Sequence, residues 1–211
     1  MEKEIIQRYT REATTCSNLS CGSNLELADL QPGEWVLDLG CGRGADVLRA
    51  VDLIRPGGKA VGLDLTPAML EQARVAARQE EKAEECEFIQ GDLTRLPFPE
   101  ATFDCVLSNC VINHVHDKFR AYREIARVLK PGGRMVISDA VSLVPLPEEV
   151  KQDPQAWADC WGGAITEEEY LAAIEAAGFQ QIVILKRREY LKNGYPFASL
   201  TLRASKGREG R

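Results

Sequence analysis

The 211-residue chain has only two histidines and no long apolar run, and these absences exclude several classes of protein. No stretch reaches the roughly eighteen consecutive apolar residues that a membrane-spanning helix requires, so no membrane span is predicted. No apolar signal-peptide core follows the charged residues Met1–Glu4, and we therefore expect a cytoplasmic protein with reduced thiols. The net charge of −6 disfavours nucleic acid or an anionic membrane as the main partner, because either would favour a basic face.

Repeats, low-complexity segments and linkers rich in serine, glycine or proline are also missing, so residues 1–211 are predicted to form one domain. The chain lacks a Cys-x-x-Cys pair, and its histidines are not spaced as a known ligand set, which disfavours a zinc site. Seven cysteines are nevertheless present. Because seven is odd, disulfide pairing within the chain cannot account for all of them.

What the chain does contain is an alternation of short apolar runs with segments of helical periodicity. Predicted strands lie at residues 35–39, 60–65, 86–89, 103–107 and 135–138, and two more, at 181–184 and 198–202, follow without a helix between them. This order predicts an α/β fold with a seven-stranded, mostly parallel sheet. The last two strands form a C-terminal antiparallel hairpin joined through residues 192–196.

Helix signals separate these runs. Thr66 before Pro67 predicts a helix start, and Thr166 with Glu169 predicts a capping box. The predicted apolar faces are Met69, Leu70, Ala73 and Ala77 in one helix, and Phe119, Tyr122, Ala126 and Leu129 in another. The two histidines, His114 and His116, are expected to lead into the helix near Asp117, although one of them could line a pocket.

A glycine-rich turn follows the first strand. Its sequence, Gly40-Cys41-Gly42-Arg43-Gly44, lets the chain turn tightly and lets the backbone approach a ligand. Asp64 ends the next strand, where its carboxylate can accept hydrogen bonds from both hydroxyls of a ribose. A dinucleotide-binding turn is the main alternative. Asp38 two residues before the first glycine, the close spacing of the glycines and the lack of a second domain all weigh against it.

These residues resemble the class I S-adenosylmethionine-dependent methyltransferases, a Rossmann-like family. The resemblance continues in order through nearly the whole chain, at Gly62–Asp64, Gln90–Leu93, Leu96–Phe98, Phe103–Asp104 and Leu129–Gly133. It implies S-adenosyl-L-methionine as the cofactor and a single methyltransferase domain over residues 1–211. In this domain residues 1–34 would form an N-terminal helical lid and residues 140–165 an acceptor-site insert.

The same resemblance implies the cofactor contacts. The glycine turn would pass beside the methionine part, Asp64 would bind the ribose, and Asp92 with Leu93 would hold the adenine. Tyr9 resembles an aromatic residue that closes over the methionine end, with a packing role as the alternative. The implied set in full is Tyr9, Asp38, Gly40, Cys41, Gly42, Gly44, Asp64, Leu65, Met69, Gly91, Asp92, Leu93 and Asn109.

The cysteines divide into two groups. Three are predicted to serve the fold as small apolar residues: Cys41, Cys86 and Cys105. Of the others, Cys110 follows the fourth strand at the edge where open α/β sheets bind ligands, Cys160 lies in the insert, and Cys21 precedes the first strand. Three thiols that approach one end of a sheet suggest a site for a soft ion.

The segments around these thiols resemble the arsenite methyltransferases, in particular residues 108–113 and the run from Cys160 to Ala164. That resemblance implies that Cys21, Cys110 and Cys160 bind trivalent arsenic as arsenite or a thiol complex, with glutathione or thioredoxin as reductant. The chain departs from the family in lacking the longer C-terminal region of many members. The upstream segment also matches loosely, so Cys16 stays open as the first thiol or as a relay.

Two other functions stay open on the sequence. The first is methyl transfer to another small acceptor through an oxygen, nitrogen, carbon or sulfur atom, with incidental cysteines. The second is a non-catalytic protein that binds both cofactor and metalloid. Arsenite-dependent turnover distinguishes the arsenic methyltransferase from both.

Overall fold

The computed structural model of the protein describes residues 1–14 and 24–208. Its helices are α1 (Glu2–Glu12), α2 (Asn24–Leu27), α3 (Ala45–Ile54), α4 (Pro67–Gln79), α5 (Lys118–Val128), α6 (Glu148–Lys151), α7 (Pro154–Ala158) and α8 (Glu167–Ala176). Its strands are β1 (Trp35–Leu39), β2 (Lys59–Asp64), β3 (Cys86–Gln90), β4 (Phe103–Asn109), β5 (Leu129–Ser142), β6 (Phe179–Lys192) and β7 (Tyr195–Lys206). A 3₁₀ turn, Ile112–His114, follows β4.

The strands form one seven-stranded sheet in the order β3-β2-β1-β4-β5-β7-β6. The first five strands in this order pair in parallel, whereas β7 is antiparallel to both β5 and β6. The predicted α/β class and the C-terminal hairpin are therefore confirmed. The hairpin loop is shorter than predicted, because Lys192 already pairs with Tyr195 and only Asn193 and Gly194 turn the chain.

Helices cover both faces of the sheet and bury its apolar side chains. Met69, Leu70, Ala73 and Ala77 of α4 are buried as predicted, and Thr166 and Glu169 form the predicted capping box at the start of α8. In α5 the predicted stripe is wrong in part. The helix buries Ala121, Tyr122, Ile125 and Val128, while Phe119 is 40% exposed and Leu129 belongs to β5.

The buried face of α5 centres on Tyr122, which packs edge to face on Tyr170 of α8 with the ring centroids 5.8 Å apart. Phe119, in the first turn of the helix, instead lies beside the Arg123 guanidinium, which is 5.8 Å from the Phe119 ring centroid. The amino end of the helix is fixed by Asp117, whose side chain accepts a hydrogen bond from the backbone N–H of Arg120.

Of the segment predicted as a lid, helix α1 lies beside the predicted insert. The insert, residues 140–165, contains the end of β5 together with α6 and α7, and its apolar side chains pack on Phe197 of the hairpin. Helix α1 contacts α7. Within the described ranges, none of the helices combines the length and apolar character needed to cross a bilayer.

Candidate functional site

The glycine turn forms the first wall of the site. Its three glycines have φ values of 67°, 52° and 81°, a region that residues with a Cβ atom rarely adopt. A Cβ atom at Gly44 would lie 2.8 Å from the Phe88 ring, so this glycine permits close helix–sheet packing. A Cβ atom at Gly42 would meet nothing within 4 Å, which leaves the backbone there open to a ligand.

Asp64 ends β2 beside the glycine turn and fixes the position of the turn through a hydrogen bond. Its carboxylate accepts one hydrogen bond from the backbone N–H of Gly42, at 2.9 Å, and another from that of Thr66, at 2.8 Å. Burial raises the pKa of Asp64, and the two backbone hydrogen bonds oppose the rise. Each carboxylate oxygen has a further lone pair, so the group can still accept hydrogen bonds from ribose hydroxyls.

The carboxylates around the turn make the site electronegative. Asp38 is buried, and burial together with the nearby Asp46 and Asp64 raises its pKa well above the usual range. A ligand with positive charge would offset this repulsion. S-adenosylmethionine carries a sulfonium and an ammonium group, so the donor set and the open backbone at Gly42 fit the cofactor that the resemblance implies. Cys41 is buried, and burial raises the pKa of its thiol, which suits a packing role.

The other residues of the implied cofactor set occupy different environments. Asp92 is exposed and accepts a hydrogen bond from the backbone N–H of Thr94, at 2.8 Å, while Leu93 beside it is buried. Leu65, Gly91 and Asn109 are half-buried at the carboxyl ends of their strands. Met69 has no exposed surface and packs into the core face of α4.

Two cysteines from distant segments meet at the carboxyl end of β4. The Cys160 Sγ donates a hydrogen bond to the carbonyl oxygen of Cys110 at 2.7 Å, and the N–H of Cys110 donates to the Ser138 carbonyl of β5 at 2.8 Å. Both cysteines are half-buried. Cys21 and Cys16, the two candidates for the first thiol, lie outside the described residues.

The remaining described cysteines are buried away from these two. Cys105 lies inside β4, and burial raises its pKa to about 12. Cys86 lies at the start of β3, and burial raises its pKa also. A deprotonated thiol is the form that binds a soft ion, so these environments suit packing. Across residues 1–14 and 24–208, no three His, Cys, Asp or Glu side chains group closely enough to hold a metal ion.

His114 joins the Cys160 thiol to helix α1. Its Nε2 atom lies 3.0 Å from the Cys160 Sγ and 3.0 Å from the Tyr9 hydroxyl. The rings of Tyr9 and His114 meet edge to face with centroids 5.5 Å apart. His114 is therefore the histidine beside Cys160, whereas His116 is exposed and stacks on Trp157. Tyr9, expected at the methionine end of the cofactor, has its hydroxyl beside the thiols.

The sequence analysis did not single out Arg8, whose side chain contacts the two residues before Cys160. Its guanidinium lies 3.0 Å from the Asp159 carboxylate and donates a hydrogen bond to the carbonyl of Ala158 at the end of α7. No motif contains Arg8, and its spacing resembles that of the exposed Arg11 in the same helix. The contact depends on where α7 docks.

Two buried polar residues, Asn113 and Lys118, form hydrogen bonds in the segment that follows Cys110. The Asn113 amide donates to the Asp139 carboxylate at 2.8 Å and to the Ala140 carbonyl at 2.7 Å. Lys118 is also buried and donates to the Val115 carbonyl at 2.9 Å. Burial lowers the pKa of Lys118 to about 8, and Asp139 opposes that shift. These contacts hold the loop that follows Cys110 to the end of β5.

Comparisons with known proteins agree with this geometry. A family profile described as a methyltransferase domain matches residues 30–178. The chain is 39% identical over 171 residues to the arsenite methyltransferase of Halobacterium salinarum, which covers 81% of this chain and 44% of that protein. It is 40% identical over 101 residues to the demethylmenaquinone methyltransferase of Lactococcus lactis, covering 48% of this chain and 40% of that protein.

Among solved structures, the chain is similar to CrArsM, an arsenic(III) S-adenosylmethionine methyltransferase from Chlamydomonas reinhardtii. The TM-score is 0.78 at 30% sequence identity, and the match covers 96% of this chain and 75% of that one. The chain spans less than half the length of the two curated relatives named above.

Proposed function

Because the chain belongs to the S-adenosylmethionine-dependent methyltransferases, we propose that it transfers a methyl group to trivalent arsenic held by cysteine thiolates. The observation that carries this proposal is the meeting of Cys110 and Cys160, which lie fifty positions apart, at the ligand-binding edge of the sheet. The named arsenic methyltransferases among its relatives support the same substrate.

Arsenite suits this pair of thiols chemically. Trivalent arsenic is a soft acid, and thiolates are the soft ligands that proteins offer. Each As–OH group exchanges with one Cys–SH group, so that an As–S bond forms and the thiol proton leaves with the hydroxide as water. Arsenic bound through sulfur keeps a lone pair, and this lone pair would attack the methyl carbon. An As–C bond would form as the bond from that carbon to the sulfonium sulfur breaks, and S-adenosylhomocysteine would leave.

The chain's own residues mainly hold and align the reactants. S-adenosylmethionine supplies an electrophilic methyl group on a sulfonium. Asp64 and the open backbone at Gly42 would hold the ribose and the methionine part, and the buried Asp38 would offset positive charge. Attack by a lone pair requires no proton removal, so alignment and exclusion of water would provide most of the rate acceleration.

We assign the first thiol to Cys21, the cysteine that the resemblance to the arsenite methyltransferases matches by position, and we assign Cys16 the role of a relay. Both residues lie outside the described ranges, so this assignment rests on the sequence.

The expected reductant follows from the same chemistry. Donation of the arsenic lone pair to the methyl group raises arsenic formally from As(III) to As(V). Two thiols of glutathione or thioredoxin would supply the two electrons that return it to As(III) and would become a disulfide. Further thiols would then replace the protein thiolates and release the methylated product. This assignment, like a cytoplasmic location in which the thiols stay reduced, is part of the proposal.

The test is methylation of arsenite by Cys110→Ser and Cys160→Ser variants, with labelled S-adenosylmethionine, glutathione and detection of methylated arsenic by mass spectrometry. We expect each variant to lose more than about a hundredfold in rate, because even outer partners of a metal site contribute roughly 10–100-fold. Cofactor affinity should be unchanged, since Asp64 and the glycine turn are intact.

The matched control is Cys86→Ser at the start of β3. Its Sγ donates to the Lys82 carbonyl, a bond that a serine hydroxyl can also make. Normal methylation of arsenite by Cys110→Ser or Cys160→Ser would refute the thiol site. Turnover of a carbon or oxygen acceptor without arsenite would favour the alternative suggested by the demethylmenaquinone methyltransferase relative.

A further inference from the structure

His114 occupies a position that the proposed reaction does not by itself require. Its Nε2 atom makes two contacts of 3.0 Å, one with the Cys160 sulfur and one with the Tyr9 hydroxyl. The three groups come from the insert, the turn after β4 and helix α1. One ring nitrogen therefore connects three segments that lie 46 and 105 positions apart in the chain.

The direction of the hydrogen bond to sulfur follows from the other partner of Cys160. The carbonyl oxygen of Cys110, 2.7 Å from the Cys160 Sγ, can only accept a hydrogen bond, so it takes the single thiol proton. The sulfur then has only lone pairs to offer to His114. A neutral imidazole carries one ring proton, and this proton must lie on Nε2 for the contact with sulfur to be attractive.

We propose that His114 is a positioning residue that donates a hydrogen bond from Nε2 to the Cys160 sulfur and holds it toward Cys110 for binding of a soft ion. The Tyr9 hydroxyl oxygen also lies within hydrogen-bond distance of His114 Nε2. Through this contact, helix α1 helps to hold the His114 ring beside Cys160. The identity of the ion rests on the proposed function, whereas the positioning role rests on the geometry of these three side chains.

The arrangement suits both states of the thiol. Before an ion binds, the Cys160 proton is donated to the Cys110 carbonyl and Nε2–H is donated to the sulfur. When an S–As bond replaces S–H, the carbonyl loses its donor but the Nε2–H donor remains, and a thiolate sulfur is the better acceptor. His114 should thus stabilise the ion-bound site more than the empty one.

The experiment measures binding of phenylarsine oxide, an arsenical that bridges two neighbouring thiols and requires no methyl transfer. Binding to the full chain is followed by fluorescence of Trp157 and Trp161, which flank Cys160. The variants are His114→Phe, which removes the donor, His114→Gln, which restores an amide donor, and Tyr9→Phe. His116→Phe changes the other histidine, which is exposed and lies two positions away, and it serves as the matched control.

We expect His114→Phe to weaken binding of phenylarsine oxide about tenfold, the value of a hydrogen bond to a charged group. His114→Gln should bind within about threefold of the natural chain, Tyr9→Phe should lose about threefold, and His116→Phe should be unchanged. The affinity for S-adenosylmethionine should stay within about twofold in every variant, because the glycine turn and Asp64 are intact.

Equal affinities for His114→Phe and the natural chain would overturn the proposal, as would a glutamine variant no better than the phenylalanine variant. If His114→Phe does not fold, the affinities of His114→Gln and Tyr9→Phe for phenylarsine oxide test the proposal. An unchanged affinity in Tyr9→Phe would then overturn it. Binding in the expected order by a chain that methylates no arsenite would refute the proposed function and leave the positioning role standing. Arsenite methylation with equal affinities would refute the positioning role alone.

Discussion

Cys110 and Cys160 have backbone conformations that ordinarily belong to glycine, with φ values of 57° and 66°. Such a conformation costs a residue with a Cβ atom about 1–2 kcal/mol. Five other non-glycine residues of the described ranges share it, and each lies in a connection or at irregular pairing in β6: Asp29, Glu81, Ala101, Gln181 and Asn193. Cys110 and Cys160 lie in connections as well, so the strain at these two positions coincides with the two described cysteines of the proposed site.

This strain gives the first prediction at the residue scale. Cys110→Gly should be about 1 kcal/mol more stable than Cys110→Ala. Alanine keeps the Cβ atom, which at positive φ lies too close to the following carbonyl oxygen, and glycine removes it. Urea unfolding at pH 7 measures the difference. At Cys105, inside β4, the same pair of substitutions should rank in the opposite order, since glycine weakens a strand interior. A more stable alanine at position 110 would mean that no strain exists there.

His114 gives a second prediction, for stability against pH. Burial lowers the pKa of His114 to about 4 from its ordinary 6.5, so between these values the unfolded chain binds a proton that the folded chain does not. Lowering the pH from 7 to 5 should therefore cost the fold about 2 kcal/mol through this residue. In urea unfolding at both pH values, His114→Gln should lack that loss and His116→Gln should keep it. Equal losses in all three proteins would contradict the burial of His114.

At the scale of elements, α1 and α7 hold each other across the site. Arg8 contributes the ion pair with Asp159 and the hydrogen bond to the last turn of α7, while Ile5 of the same helix is buried. The ion pair is partly exposed, so its effect on global stability should be below about 1 kcal/mol. Its effect on local opening should be larger, because α7 is a helix of only five residues and can open without the sheet.

Arg8→Ala should accordingly speed amide hydrogen exchange in residues 154–160 about fivefold, with little change in the midpoint of thermal unfolding. Arg11→Ala in the same helix is the control, since the Arg11 side chain bonds only within α1 in the described contacts. An unchanged rate of amide hydrogen exchange in Arg8→Ala would mean that the Arg8 contacts do not hold residues 154–160 in place.

The hairpin shows which features of an element the sequence predicts well. Asn193 and Gly194 both have positive φ, as the two-residue turn between β6 and β7 requires, and this dipeptide indicates a hairpin. The lengths of the strands were underestimated. β6 continues through Lys186, Arg187 and Arg188, which are exposed at the sheet edge, so hydrophobicity does not mark them while backbone pairing with β7 does.

At the scale of the whole molecule, the strand order separates the two halves of the site. β2 and β1 carry Asp64 and the glycine turn, and the neighbouring β4 leads to Cys110. The direction of the chain's progress through the sheet reverses between β1 and β4, the place where open α/β sheets bind ligands. Methyl donor and acceptor would therefore meet across this junction, with α1 and the insert above it.

Cofactor binding should stabilise the whole domain by mass action. S-adenosylmethionine at a hundred times its Kd adds about 2.7 kcal/mol, which raises the Tm by roughly 5–10 °C for a domain of this size. Asp64→Ala should about halve the shift at the same concentration, because loss of a charged hydrogen-bond acceptor weakens binding at least about tenfold. Glu71→Ala, on the exposed face of α4, should leave the thermal shift unchanged. An equal shift in all three proteins would exclude Asp64 from the cofactor site.

Local patterns were sufficient to predict the fold class, the hairpin, the glycine turn and the carboxylate of Asp64. Apolar periodicity reports which faces are buried, and the geometry of parallel sheets places the ends of successive strands at one edge. The same reasoning placed Cys110 and Cys160 at that edge, but it could not say that one sulfur lies on the other's carbonyl.

Only the tertiary structure decided the partners around those thiols. Tyr9, His114 and Cys160 meet because α1 and α7 dock on the same end of the sheet, and Arg8 reaches Asp159 for the same reason. Such contacts depend on rigid packing between segments up to 150 positions apart, and no local periodicity reports that packing. The sequence by itself predicted the fold and the candidate thiols, because local periodicity and strand ends suffice for both. The docking of α1 and α7 determined which of the described side chains touch.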